Sequence, residues 1–150
     1  KDMKTFVFAG MAAALAIVAP VQAMEHKTVI EHPVGPIAAD YSGSTIVEMK
    51  QIGAAGVAGR PGSLRCTWTV SLAVERDAKV GSALQTRRTM TRANVLKGSA
   101  PGWCSERNSG VDRMVEARRD ELRGAMMAMV EQDRAVIMAE ADKAIASREG

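Results

Sequence analysis

An α+β domain, with a small antiparallel sheet of three to four strands packed on one face by a long C-terminal helix, is the fold this sequence predicts, and three observations predict it. Arg65 to Glu75 alternates strictly: Cys66, Trp68, Val70, Leu72 and Val74 fall on one side of an extended backbone, and Arg65, Thr67, Thr69, Ser71 and Glu75 fall on the other. Between Val111 and Ile145 the apolar residues recur with the period of a helix instead. The chain's two cysteines, Cys66 and Cys104, lie in the central strand and in the connector entering that helix, so a bridge between them would join the two layers.

The first 23 residues stand apart from this pattern. Lys1 to Lys4 form a basic start, Phe6 to Ala19 is an uncharged apolar run, and Val21-Gln22-Ala23 has small residues where a signal peptidase reads them. The run is shorter than the roughly 20 residues a membrane-spanning helix needs. Residues 1–23 are therefore expected to be a cleavable secretory signal and residues 24–150 a single domain, periplasmic or secreted, with no transmembrane span in the mature form. Both phenylalanines leave with the signal, so Tyr41, Trp68 and Trp103 are the remaining aromatics and the core must come from Val, Leu, Ile, Met and Ala.

In an oxidising compartment two cysteines in a small domain pair with each other. Closing a loop of about 39 residues would stabilise the fold by roughly 4 kcal/mol in the chain-entropy account. A tryptophan within two residues of each cysteine suggests a packed cluster around the bridge.

The other elements follow in order. Lys27 to Glu31 is β-branched enough for a short edge strand and breaks at His32-Pro33-Val34-Gly35-Pro36. Thr45 to Ile52 is a second strand, with Val47 and Met49 on one face and Glu48 and Lys50 on the other. Gly53 to Gly62, with four glycines and a proline, is expected to be a mobile loop between strands. Its Gly53-x-x-Gly56-x-x-Gly59 spacing is not a phosphate-binding fingerprint. Arg76 to Ser82 is expected to turn, and Ala83 to Lys97 to form a fourth strand with an ambiguous inward face.

Ser109 or Asp112 can cap the C-terminal helix, whose stripe takes in Val111, Met114, Val115, Leu122, Met126, Met129, Val130, Val136, Ile137, Ala141, Ala144 and Ile145. Unbroken to Ser147 it would be about 55 Å long, against about 33 Å for a ten-residue strand. Either it bends at Gly124, or its far end overhangs the sheet, and an overhang would favour a homodimer through the helix.

Three groups of residues invite a functional reading. Cleavage after Ala23 would leave Met24-Glu25-His26 as the new terminus, where an amine, two amides and an imidazole can hold Cu(II) or Ni(II) in a square plane, the alternative function for this chain. Met126, Met127, Met129, Met114 and Met138 offer soft sulfur, but helical spacing places Met126, Met129 and Met114 on the core stripe. Arg65, Arg87, Arg88 and Arg92, on the third and fourth strands, could form a basic binding face for lipid headgroups, an acidic polysaccharide or an acidic partner. That face has no aromatic to stack on bases, which argues against nucleic acid. Catalysis has little to draw on: both histidines lie in the N-terminal arm and the cysteines are expected to be bonded. The sequence thus predicts a non-catalytic exported binding or interaction protein, with no cofactor and an envelope or extracellular partner.

Overall fold

The computed structural model describes residues 24–81, 84–106 and 108–150, so the expected signal segment 1–23 lies outside the described residues. Four strands, β1 (Met24–Ile30), β2 (Ile37–Ile52), β3 (Arg65–Val80) and β4 (Leu84–Pro101), form one antiparallel meander in the order β1-β2-β3-β4. A 3₁₀ turn at Cys104–Glu106 then leads into α1 (Asn108–Ala117) and α2 (Arg119–Glu149). The α+β class stands, and the central strand is the one whose alternation was cleanest.

The strands are longer than their local sequence suggests. Arg76 to Val80, expected to turn, continues β3, and the alternation persists through it: Arg76, Ala78 and Val80 are buried. Pairing on both sides overrides the charged, turn-like composition, since Ala38 to Tyr41 and Leu84 to Arg88 ladder onto this stretch. Ile37 to Ser44 likewise belongs to β2. Between Val70 and Leu72 the register with β4 slips by two residues, with Ala93 to Val95 lying opposite Ser71 alone. Asn94 takes a left-handed conformation there (φ 54°), which asparagine tolerates, and its N–H meets Ser71 Oγ at 3.3 Å. The slip preserves parity, so Leu84, Met90 and Leu96 all face inward, which resolves the ambiguity of the fourth strand.

The expected mobile loop is a short hairpin extension. Val57 and Arg60 exchange both backbone hydrogen bonds, and Ser63 N–H bonds Ala54 O at 3.0 Å.

The helical region is interrupted at Arg118, not at Gly124. Arg118 (φ −106°, ψ 21°) gives its N–H to both Met114 O and Val115 O, and its carbonyl accepts from Glu121 and Leu122. α2 then runs without a break through Gly124. Neither Ser109 nor Asp112 caps the start, since both lie inside α1. At 31 residues α2 is about 46 Å long, and the 16 residues of β3 span about 53 Å. The mismatch that argued for an overhang, and with it for a helix-driven homodimer, disappears. Leu122, Met126, Met129, Val130, Ile137 and Ala141 pack on Val70, Leu72, Val74, Ile37 and Leu96. Met114, expected in the stripe, is exposed.

Cys66 and Cys104 are bridged, with Cα atoms 4.8 Å apart. The Gln51 amide reinforces the junction: Nε2 donates to Arg65 O (2.8 Å) and Gly102 O (3.2 Å), and Oε1 accepts the Cys104 N–H (2.8 Å). Trp68 is buried beside the bridge, but Trp103 is half exposed and does not complete the expected aromatic cluster.

Candidate functional site: a charged cluster under the helix and the cleft beside it

One row of the sheet departs from the apolar core. His26, Tyr41, Arg76 and Arg88 are successive cross-strand partners on β1 to β4, all on the face that α2 covers. The His26 and Tyr41 rings lie 6.3 Å apart. Arg76 is fully buried, and its neighbour Arg88 would repel it without an anion between them. α2 supplies that anion. Asp133 sits on the buried stripe, three residues after Val130 and four before Ile137, and takes part in three contacts. Arg88 Nη1 donates to its Oδ1 at 2.8 Å, Tyr41 Oη donates to Oδ2 at 3.1 Å, and Arg76 Nη1 lies 3.3 Å from Oδ2.

Two turns further along α2, Glu140 receives the other end of Arg76, with Nη2 at 3.2 Å from Oε1 and 2.9 Å from Oε2, and also the Thr86 hydroxyl at 3.1 Å. Two guanidiniums and two carboxylates therefore balance. Arg76 Nε finds no hydrogen-bond acceptor among the described residues. The Tyr41 hydroxyl is held protonated well above its ordinary range, chiefly because burial penalises the phenolate and then because Asp133 is negative and accepts its hydrogen bond. At the far end of the helix, His32 Nδ1 accepts the Val34 N–H at 3.3 Å, so Nε2 carries the hydrogen given to Asp142 Oδ1 at 2.9 Å.

Beside this cluster, between the free edge of β4 and α2, lies a cleft of about 450 Å³ lined by Arg88, Met90, Arg92, Met129, Gln132 and Val136, with Asp133 at its back. Arg92 pairs in register with buried Leu72, so it too faces α2. Among the described residues it makes no ion pair or hydrogen bond, while Arg88 and Asp133 are spent on each other. Arg92 is thus the uncompensated charge of the cleft. A partly buried arginine next to two methionines and a valine suits a carboxylate carried on an apolar body.

The four arginines singled out by the sequence do not share one face. Arg88 and Arg92 line the cleft. Arg65 and Arg87 lie on the opposite, open face, where Arg65 Nη2 donates to Ser99 Oγ (2.8 Å) and Arg87 Nη2 pairs with Asp77 Oδ2 (2.8 Å). That contact holds the Asp77 carboxyl below its usual range and raises Arg87. Lys27, Asp40, Asp77 and Arg87 form a mixed-sign row across the sheet, so the open face carries no continuous basic field there.

Met24, Glu25 and His26 are paired in β1 with Gly43, Ser42 and Tyr41. In a strand successive N–H groups point to opposite sides, so wrapping a metal with both amides would require this end of β1 to leave the ladder. Met126 and Met129 are buried in the core. The described residues contain no group of three or more His, Cys, Asp or Glu placed to hold a metal ion.

The interior cluster escaped sequence reasoning although a signal for it was present. Extending the alternation of β3 by one place puts Arg76 on the buried face, and Asp133 occupies a stripe position that an apolar residue would ordinarily fill. No helix among the described residues is long and apolar enough to cross a membrane. The chain matches no protein-family model, no curated protein and no solved structure.

Proposed function

We propose that this chain is a non-catalytic binding protein of a periplasmic or extracellular compartment, and that Arg92, with Arg88 beside it, receives a carboxylate of its ligand. The observation that carries this reading is the charge balance of the cleft: Arg76 and Arg88 are matched by Asp133 and Glu140, and Arg92 is left over. Arginine, methionine, glutamine and valine are groups that hold a ligand, and the one carboxylate at the back of the cleft is already engaged by two guanidiniums and a phenol. The Cys66–Cys104 bridge is compatible with an oxidising, exported location.

Titration of the oxidised ¹⁵N-labelled protein with N-acetyl-Glu-Val tests the site. The expected result is amide shifts at Arg88, Arg92 and Gln132 that saturate in the millimolar range and weaken about tenfold in Arg92→Ala, the loss of roughly 1.4 kcal/mol. Shifts that are absent, or unchanged in the variant, would refute the assignment.

A further inference from the structure

β4 is an edge strand with nothing paired on its outer side among the described residues. Its 18 residues are divided by the bulge at Ala93 to Val95, where left-handed Asn94 interrupts the ladder, so the regular open segment is Leu84 to Arg92. Edges of this length are templates for another strand. This segment contains Arg87, Arg88 and Arg92 and no acidic residue. A second copy laid along it would add three more arginines to the same edge, which disfavours self-pairing, while an acidic strand would meet complementary charge.

The cleft determines which side chains such a strand could carry. A strand added about 4.8 Å outside β4 would project alternate side chains toward α2, over Arg88, Met90 and Arg92. Arg92 has no ion-pair partner among the described residues, and Arg88 spends Nη1 on Asp133 while its side chain remains 41% exposed. Met90 and Val136 are partly exposed in the cleft wall, with buried Met129 beneath them.

Resting on the binding function proposed above, we infer that the partner is an extended acidic peptide segment that adds to β4 as a fifth strand, with the pattern acidic-x-apolar-x-acidic on its α2-facing side. The acids meet Arg88 and Arg92, and the apolar residue covers Met90 and Val136. The pattern is palindromic, so it serves a parallel or an antiparallel strand alike. The backbone supplies affinity through ladder hydrogen bonds, and the alternate side chains supply selectivity.

The test uses the oxidised full chain and a fluorescein-labelled peptide with Glu-Thr-Val-Thr-Glu at its centre, read by anisotropy. Two further peptides carry N-methyl groups on alternate residues, one on each set. A fourth, centred on Thr-Glu-Val-Glu-Thr, moves the acids to the other face. Strand addition predicts that one methylated peptide binds like the parent and the other at least tenfold more weakly, because only one set of amides faces β4. It also predicts at least a tenfold loss for the fourth peptide, and for the parent peptide against Arg92→Glu or Arg92→Gln with an unchanged urea midpoint. Equal binding of both methylated peptides, with the loss in the Arg92 variants retained, would overturn strand addition while leaving a carboxylate site standing. So would failure of all the peptides while N-acetyl-Glu-Val still shifts Arg92. Sedimentation showing a dimer closed through β4 would overturn the inference as well.

Discussion

Arg76 of β3 and Asp133 of α2 face each other 3.3 Å apart, and neither side chain has any exposed surface. A buried pair of this kind adds little net stability over an apolar pair of the same volume, because both charges must be desolvated. What it does is define a position: Asp133 can meet Tyr41, Arg76 and Arg88 together at only one rotation and one axial setting of α2. The pair therefore specifies how the helix sits on the sheet, and through that the shape of the cleft at the edge of β4.

Removing one partner should be far worse than replacing both. Asp133→Ala leaves Arg76 buried beside Arg88 with Glu140 as its remaining carboxylate and is expected to cost about 3 kcal/mol, whereas Arg76→Met combined with Asp133→Leu should recover much of that loss. Urea unfolding of the three proteins checks it. A single variant as stable as the parent would show that the charge is not buried.

Tyr41 is the chain's sole tyrosine, so its phenolate absorbance titrates one group. In urea it should ionise near pH 10, while in the folded protein ionisation is delayed to higher pH because burial and Asp133 oppose the charge. The folded state holds the proton more tightly, so the stabilisation is complete below about pH 10 and is lost as pH rises toward the folded value. Tyr41→Phe should flatten this alkaline loss in urea midpoints measured from pH 8 to pH 11.

Cutting the covalent link between sheet and helix tests a separate source of stability. The bridge closes a loop with a sequence separation of 38. The Cys66→Ser, Cys104→Ser double variant should lose roughly 4 kcal/mol by the chain-entropy account. Differential scanning calorimetry of the variant beside the oxidised parent measures the loss.

Glycines at two close contacts should respond differently. The Trp68 ring lies over Gly98, and a methyl group there would fall inside the ring, 2.6 Å from Cε2. Gly98→Ala should therefore cost about 1–3 kcal/mol through overpacking. At Gly43 a methyl would meet the Met126 sulfur at 2.9 Å, the end of a flexible side chain that can move aside. Gly43→Ala should be the milder change in the same thermal melts.

Much of the framework was legible in the residues because burial on one face leaves a periodic trace. The alternation of Cys66 to Val74, the stripe through Leu122, Met126 and Ile137, and the pairing of Cys66 with Cys104 could each be read locally or by counting. The ends of the strands could not. Arg76 to Val80 has the composition of a turn, and only the ladders from β2 and β4 on either side make it a strand. The sequence left a bend at Gly124 and an unbroken helix as alternatives, and the interruption falls instead at Arg118.

For the candidate site the division is sharper. Sequence named Arg65, Arg87, Arg88 and Arg92 but could not tell that adjacent Arg87 and Arg88 serve opposite faces, nor that Asp133 cancels Arg88 and not Arg92. Which residues alternate and which thiols can join is determined by the chain alone, because strand and helix periods and covalent chemistry act over short range or by elimination. Which charges neutralise one another depends on the register of three strands and the rotation of one helix. Those are properties of the packed tertiary structure, and no stretch of the sequence contains them by itself.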